Sequence, residues 1–251
     1  MMRRFFITLS YHGKNYCGWQ IQPNGIAVQQ KLQEALSTIL RQEIKVIGAG
    51  RTDSGVHARN MVAHFDWDGS DFDAEELTIK LNGFLPKDIA IQSIKEVVPE
   101  AHARFSALSR TYSYTVTLRK DPYLHEYKYR VFYTPDIELM NRLCKILLNT
   151  DDFTSFSKLH TDAKTNLCEV TYAHWEITAD GDYLFTIKAN RFLRNMVRSI
   201  VGTLLLAGRG RLDEEGFRQV IAAMDRKAAG ESAPGHALFL EKVEYPADIW
   251  L

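Results

Sequence analysis

The sequence predicts an α+β protein made of two halves, each with the element order β-α-β-β-α-β. Two observations lead to this fold class. Short runs rich in β-branched and aromatic residues alternate with longer stretches whose apolar residues recur at helical spacing. The same order of elements then returns in the second half of the chain, although no sequence repeat accompanies it. We therefore expect two domains, residues 1–105 and 106–251.

The first half contains the clearer periodicity. Val28, Leu32 and Leu36 lie three to four residues from further apolar residues, which predicts an amphipathic helix. From Met61 to Trp67 apolar and other residues alternate, as they do in a half-buried strand. The predicted strands are 4–10, 43–47, 61–67 and 89–98, and the predicted helices are 27–41 and 74–85.

The second half is similar in outline, with one additional strand and one additional helix. Its predicted strands are 111–117, 127–133, 169–177, 183–189 and 237–243, and its predicted helices are 137–148, 191–207 and 213–225. This is the ferredoxin-like order that RNA-recognition domains also use. It predicts mixed, mainly antiparallel sheet with helices on one face, which leaves the other face for an RNA-binding cleft.

Charge is balanced over the chain but segregated along it. The formal net charge is zero and the isoelectric point is about 7.1, so the total charge does not indicate a polyanionic partner. Residues 183–212 nevertheless hold six basic side chains and no acid, and residues 101–120 hold four. Such segments form a positive face towards phosphates or merely a solvated surface, and composition does not choose between the two.

Cysteine usage and hydropathy favour a cytoplasmic protein. The three cysteines are far apart and form no Cys-x-x-Cys spacing, so neither a disulfide framework nor a zinc site is indicated. The first residues turn polar too soon for a signal-peptide core. The longest apolar run, near 200–207, is far shorter than a membrane span.

The loop at 48–58, which reads GAGRTDSGVHA, is the strongest candidate for chemistry. Its glycines allow positive φ and close approach of a ligand, and between them lie Arg51 and Asp53. The residues alone leave three interpretations open. Asp53 forms an Asx-turn, or it is a functional carboxylate, or Gly48 to Gly55 cradles a phosphate. The phosphate loop is disfavoured because the usual Gly-Lys-Ser/Thr ending is missing.

The string GAGRTDSGVHA resembles the signature of the tRNA pseudouridine synthase A family. Further segments resemble the family's motifs in the same order and span nearly the whole chain. They are 11–20 (YHGKNYCGWQ), 103–107 (ARFSA), 110–114 (RTYSY), 152–156 (DFTSF), 190–198 (NRFLRNMVR) and 238–246 (LFLEKVEYP). One departure is Arg194-Asn195, where relatives often carry two histidines. Arg198 still matches.

The resemblance implies isomerisation of uridine to pseudouridine at positions 38–40 of the tRNA anticodon stem-loop. Asp53 matches the family's essential aspartate, which acts as a nucleophile at C6 of the base or at C1′ of the ribose. Tyr112 matches a tyrosine that stacks on the flipped base and helps to move the C5 proton. Arg198 matches an arginine that pairs with Asp53. Read from the pattern alone, Tyr112 is a strand residue and Arg198 lies on a solvated helix face.

The same resemblance extends to substrate binding and assembly. Arg51 is expected to assist base flipping. Arg110 joins Tyr112 as a substrate-binding candidate, and Arg191 and Arg194 are expected to contact phosphate from one helical stripe with Arg198. The implied partners are tRNA and a second copy of the chain in a homodimer. Neither a metal nor an organic cofactor is implied, and no membrane partner is expected.

Two features near the loop have competing interpretations. His57 is assigned a structural role because it follows the loop on the side of a predicted strand. Trp19, with Tyr11 and Tyr16, is either an aromatic platform for RNA or a packed loop. For the whole chain, the alternatives are a non-catalytic RNA-binding protein and a phosphoryl-transfer enzyme that uses Gly48 to Gly55.

Overall fold

The computed structural model describes residues 2–158 and 165–251. The chain forms two compact units, the first made of Met1–Leu108 with Leu240–Leu251 and the second of Ser109–Phe239. Both units contain mainly antiparallel sheet together with helices, so the predicted α+β class is confirmed. Compactness does not test whether either unit folds independently, and the division into two domains therefore stays a prediction.

The first unit has the predicted β-α-β-β-α-β order. Its elements are β1 (Arg3–Tyr11), α1 (Val28–Leu40), β2 (Ile47–Gly48), β3 (His57–Trp67), α2 (Ala74–Phe84) and β4 (Ile89–Val97). β1 lies between β4 and β3 and is antiparallel to both. The C-terminal strand β9 (Leu238–Glu244) lies on the other side of β3. β3 is therefore an interior strand, and the Asp53 loop leads directly into it.

Packing in this unit follows the apolar pattern of the sequence. Register places Phe5 opposite Phe65, and their rings stack with centroids 5.5 Å apart. On α1 the buried face is formed by Val28, Leu32 and Leu36, as the helical spacing predicts. The helix ends at Leu40 because the next residue, Arg41, has a left-handed φ of 55° that stops further helical hydrogen bonding.

The strand predicted at 43–47 is wrong except for its last residue. β2 contains only Ile47 and Gly48. The main chain before it bonds to side chains of α1 instead of to a neighbouring strand. Ile44 N donates to the hydroxyl of Ser37, and Val46 N donates to Oε1 of Gln33. These polar groups satisfy the backbone, so no strand ladder is needed.

The second unit is organised around a strand from its C-terminal half. Its elements are β5 (Ser109–Thr117), β6 (Tyr129–Arg130), α3 (Ile137–Leu147), β7 (Val170–Ile177), β8 (Tyr183–Ala189), α4 (Met196–Gly208) and α5 (Glu214–Ala222). β8 lies between β5 and β7 and is antiparallel to both. β6 pairs with β5 in parallel. The two helices after β8 confirm the additional helix expected in this half.

Two element boundaries in the second unit differ from prediction. The strand expected at 127–133 contains only Tyr129 and Arg130, because Tyr127 N and Lys128 N both donate to Leu124 O in a turn. The helix expected at 191–207 begins at Met196. Asn195 precedes it with a left-handed φ of 65°, a conformation that cannot continue an α-helix backwards. Within the described residues, no helix is long and apolar enough to cross a membrane.

Candidate active site

The Asp53 loop, residues 49–56, connects β2 to β3. At its start Ala49 N donates to Val62 O at 2.7 Å, and near its end Val56 N donates to Asp53 O at 3.2 Å. Gly55 has a φ of 77°, which closes the turn after Asp53. Arg51 is exposed and Asp53 is partly exposed. The strand pair therefore presents this carboxylate on a turn with defined ends.

A second stretch of chain, the supporting segment at residues 11–19, holds the residue that precedes Asp53. Trp19 N donates to the carbonyl of Thr52 at 3.3 Å. The hydroxyls of Tyr11 and Thr52 form a buried hydrogen bond of 2.9 Å. Thr52 is thus fixed through both its main chain and its side chain, which restricts the backbone torsions that aim Asp53.

The supporting segment also holds the residues that follow Asp53. The carbonyl of Tyr16 accepts from Ser54 Oγ at 3.3 Å and from Gly55 N at 3.4 Å. Tyr16 is itself anchored because its hydroxyl donates to Asp88 Oδ1 at 2.6 Å. Burial and this carboxylate raise the pKa of Tyr16, so it remains a donor. Contacts before and after Asp53 therefore come from one segment.

Two glycines let the supporting segment approach the loop closely. A Cβ on Gly18 would lie 2.1 Å from Thr52 O, and Gly18 also has a φ of 91°. A Cβ on Gly13 would lie 2.1 Å from Val56 O. Side chains cannot be accommodated at these distances without moving the backbone. The glycines of the segment are thus a steric requirement of the loop's position.

The start of α1 shares the same support. Val28 N donates to Gly18 O and Gln29 N donates to Trp19 O, although no side chain caps this helix. Carbonyls of the supporting segment thereby satisfy N–H groups that a helix start leaves open. This contact fixes the segment against α1 on one side while it holds the Asp53 loop on the other.

The buried aromatic residues decide between the two interpretations of the supporting segment. Trp19 is 2% exposed, Tyr16 is 5% exposed and Tyr11 is 4% exposed. A platform for RNA bases needs open ring faces. The segment is therefore a packed loop, and the alternative of an aromatic platform is wrong.

His57 has the structural role that its position predicts. It is buried at the start of β3, and its Nδ1 accepts from Gly13 N at 3.0 Å. Its ring lies 4.4 Å from that of His12, measured between centroids. The bond to Gly13 ties β3 to the supporting segment and assigns the acceptor role to Nδ1.

In the second unit, Tyr112 lies on β5 opposite Ile187. Its side chain is 9% exposed, and its ring meets that of Phe192 edge to face with centroids 5.2 Å apart. Arg110 is two residues earlier and therefore on the same face of the strand. Its Nη1 donates to Asn190 O at 2.8 Å. The unit thus brings together Tyr112, Arg110 and the 190–192 stretch.

Arg198 lies in the first turn of α4 and is held by residue 233. Its Nε donates to Ala233 O at 2.7 Å, and its own carbonyl accepts from Ala233 N at 2.9 Å. Two bonds between the same two residues restrict both the main chain and the plane of the guanidinium. Tyr114, another β5 residue, donates its hydroxyl to Pro234 O, and burial raises its pKa.

The helical stripe predicted for three arginines is wrong. Arg191 and Arg194 precede α4, because the helix begins only after the left-handed Asn195. Arg194 is exposed, and its carbonyl accepts from Lys158 N at 3.0 Å. The spacings of three and four residues are real in the sequence, but the backbone before Met196 is not helical. These two arginines are therefore loop residues.

Sequence reasoning missed the stretch that contacts Arg198. Residues 230–234 run beside α4, and we call them the strap. Their only local signal is a glycine and a proline within Gly-Glu-Ser-Ala-Pro, which indicates irregular chain but no partner.

Among the described residues, no group of three or more His, Cys, Asp or Glu side chains could hold a metal ion.

The chain is thus an α+β protein that presents the partly exposed carboxylate of Asp53 on a supported turn. A family model described as tRNA pseudouridine synthase matches residues 7–106 and 143–246. The chain is 59% identical to tRNA pseudouridine synthase A of Parabacteroides distasonis, over 99% of this chain and 98% of that protein. It is 56% identical to tRNA pseudouridine synthase A of Bacteroides thetaiotaomicron, over 99% of this chain and 93% of that protein. It is 40% identical to tRNA pseudouridine synthase A 2 of Clostridium perfringens, over 97% of this chain and 100% of that protein. The chain belongs to the tRNA pseudouridine synthase family, a family of isomerases.

Proposed function

We propose that this protein converts uridine to pseudouridine at positions 38–40 in the anticodon stem-loop of tRNA, with Asp53 as the nucleophile. The observation that carries the proposal is the support of the Asp53 loop. Main-chain and side-chain bonds hold Thr52 and a main-chain bond holds Gly55, so the carboxylate between them is aimed by a fixed backbone. Such preorganisation is what a nucleophile requires.

The proposed reaction is an isomerisation in which atoms balance without an oxidant or reductant. The ionised carboxylate of Asp53 attacks C6 of the base or C1′ of the ribose, and the N1–C1′ bond breaks. The uracil turns within the site, a C5–C1′ bond forms, and the bond from the substrate to Asp53 breaks, which regenerates the carboxylate. The proton leaves C5 and one is gained at N1. Neither a metal nor an organic cofactor is needed for these steps.

The remaining candidates take roles that follow the family resemblance. Tyr112 contacts the extruded base with the 9% of its surface that is exposed and helps to transfer the C5 proton, and its edge-to-face contact with Phe192 supports a fixed ring. Arg198 favours the charged carboxylate. Arg51 assists base flipping from an exposed position. Arg110, Arg191 and Arg194 contact the RNA.

Asp53→Asn is the decisive variant because it keeps the size of the side chain and removes the nucleophile. We expect pseudouridine formation to fall by about a thousandfold or more while tRNA binding changes by less than about threefold. Asp68→Asn is the matched control, since it makes the same change at an exposed acid. A normal rate for Asp53→Asn would overturn the proposal.

Tritium release from C5-labelled uridine identifies the target position. Transcripts that each retain one uridine in the anticodon stem-loop should release tritium only when it lies at 38, 39 or 40. Release from a uridine elsewhere would contradict the assigned substrate. Full activity in excess EDTA would exclude the phosphoryl-transfer alternative, which needs Mg²⁺. Binding of tRNA with no tritium release by the wild type would favour the non-catalytic alternative.

We further propose that the protein is cytoplasmic and acts as a homodimer on tRNA. The support for both is the family resemblance. Sedimentation equilibrium at micromolar concentration should give twice the chain mass of 28.7 kDa. A single-chain mass in the fully active enzyme would contradict the dimer.

A further inference from the structure

The strap, residues 230–234, is anchored along α4 by close main-chain contacts. Gly230 N donates to the hydroxyl of Thr203 at 2.9 Å, and that hydroxyl donates to Ser199 O at 2.8 Å. A Cβ on Gly202 would lie 1.8 Å from Glu231 O. The absence of a side chain at Gly202 thus lets the strap lie against the helix, and Thr203 fixes its first residue.

The side chain of Ser232 is a meeting point for two donors. Asn195 Nδ2 donates to Ser232 Oγ at 2.6 Å, and Arg226 Nη2 donates to the same oxygen at 2.8 Å. Arg226 also donates from Nη1 to Gly230 O at 3.0 Å. One hydroxyl therefore connects the start of α4, the strap and the chain after α5. All three groups are partly buried, where such bonds are stronger than at an exposed surface.

Ser232 is followed directly by the residue that holds Arg198. Ala233 accepts from Arg198 Nε and donates to Arg198 O. Ser232 and Ala233 are joined by one peptide group. A shift of Ser232 would therefore also move the main chain of Ala233. Ala233 has no functional side chain, so its main chain alone transmits the position of the strap to the guanidinium.

Asn195 contributes a second constraint from the helix side. It lies three residues before Arg198, its left-handed conformation sets the start of α4 at Met196, and Ser199 N donates to its carbonyl at 3.0 Å. Asparagine tolerates this conformation better than most residues do. Its side chain makes no capping bond to α4 and donates to Ser232 Oγ instead.

We propose that Ser232, with Asn195 and Arg226, is a positioning centre that fixes the guanidinium of Arg198 through the main chain of Ala233. The inference rests on the proposed role of Arg198. These three residues act through another residue and do not contact the substrate. A purely structural cluster would affect stability in every background, whereas a positioning centre acts on the rate only when Arg198 is present.

Ser232→Ala tests this distinction, and Ser232→Thr is the conservative control because it keeps the hydroxyl. We expect Ser232→Ala to lower the single-turnover rate at saturating tRNA by about tenfold, with the Kd for tRNA within about twofold of wild type. Ser232→Thr should restore most of the rate. A rate unchanged in Ser232→Ala, or an equal loss in Ser232→Thr, would overturn the proposal.

Asn195→Gly provides a second test that does not depend on Ser232→Ala remaining folded. Glycine accepts the left-handed backbone and removes only the side-chain donor. Its rate should fall as in Ser232→Ala, with the melting temperature close to wild type. Loss of melting temperature without loss of rate in the folded fraction would show a structural role and reject positioning.

The background of Arg198→Ala separates the two levels of the proposal. If Arg198→Ala reacts at the wild-type rate, the proposed role of Arg198 is wrong. If Arg198→Ala is slow and Ser232→Ala is not, only the positioning centre is wrong. When both are slow, adding Ser232→Ala to Arg198→Ala should lower the residual rate by less than about twofold. A further tenfold loss in the double variant would contradict positioning through Arg198.

Discussion

The Asp53 loop and the first turn of α4, which carries Arg198 and is called the Arg198 turn, each present a candidate catalytic side chain, but they are held by different kinds of contact. Around Asp53 the contacts come mainly from main-chain groups of the supporting segment, which includes two glycines at which an added Cβ would lie 2.1 Å from a carbonyl oxygen of the loop. Around Arg198 the last link is also main chain, through Ala233, but side chains of Ser232, Asn195 and Arg226 set its position.

This difference determines how each region responds to substitution. Where the neighbouring backbone leaves no space for a Cβ atom on a glycine, any other residue at that position displaces the backbone. A side-chain hydrogen bond contributes about 1 kcal/mol and can be replaced by a similar donor or acceptor. Replacing one such glycine beside the Asp53 loop should therefore remove most of the activity, whereas each single substitution around the Arg198 turn should remove only part of it.

The largest effect is expected for Gly18→Ala. The added Cβ would meet Thr52 O at 2.1 Å, at a residue whose φ is 91°. We expect a loss of about 3 kcal/mol or more in the free energy of unfolding, together with most of the activity. Urea denaturation measures the first and tritium release the second.

Gly50→Ala is the matched control because a Cβ there meets nothing within 4 Å. It should change the free energy of unfolding by less than about 1 kcal/mol. If both alanine variants were equally damaging, close approach would not be the reason for the glycine at position 18.

Acid should weaken the strand pair that carries the loop. His64 lies opposite Ile47 of β2 and accepts from Ala103 N through Nδ1. Burial, and secondarily the nearby Arg4, lower the pKa of His64 from 6.5 to about 4. Below pH 6.5 His64 is protonated in the unfolded chain, whereas in the folded chain it stays neutral until about pH 4. The contribution of neutral His64 to the free energy of unfolding is therefore fully present above pH 6.5 and is lost as the pH falls from 6.5 to about 4.

His64→Asn should flatten this dependence because an amide oxygen can accept from Ala103 N but does not titrate in this range. The wild type should lose on the order of 2 kcal/mol between pH 6.5 and about pH 5, part of which His102 contributes because burial lowers its pKa too. Urea denaturation across this window gives both slopes. Equal slopes in the two proteins would show that His64 is not the responsible group.

Tyr11→Phe probes a side-chain contact within the loop that is otherwise held by its main chain. It removes the buried bond to Thr52, and we expect a loss of about 1 kcal/mol in the free energy of unfolding and a lower turnover rate. Thr52→Val removes the other partner. The double variant should be less destabilised than the sum of the single variants, as for any pair in direct contact. Strict additivity would indicate that the hydroxyls do not interact.

The smallest effect is expected for Arg194→Ala. Arg194 is exposed and precedes α4, so it is placed to contact phosphate and not to order the site. We expect tRNA affinity to fall by a few fold and the salt dependence of binding to decrease by about one counterion, at an unchanged single-turnover rate. Filter binding at several salt concentrations measures both. A loss of rate at saturating tRNA would place Arg194 with Arg198.

Much of the fold could be predicted because its signals are local. The apolar spacing in α1 and the alternation in β3 depend on neighbours within a few residues. α1 forms within one residue of its predicted limits, and β3 ends at the predicted Trp67 but begins four residues early, at His57. Prediction was wrong where a side chain of another element bonded to the backbone, or where one residue took a left-handed conformation. The stretch before Ile47 bonds to α1 side chains, and the arginines before Met196 lie outside the helix because Asn195 is left-handed.

The α+β class, the family and the proposal of Asp53 as nucleophile could all be read from the sequence, because periodicity and motif spacing are properties of the linear chain. Only the tertiary structure decided that the supporting segment is packed against the Asp53 loop and that the strap holds Arg198. Thr52 and Tyr11 are 41 positions apart, and Arg198 and Ala233 are 35 apart. Contacts at such separations form only when the packed elements bring the two stretches together, and no local pattern records them.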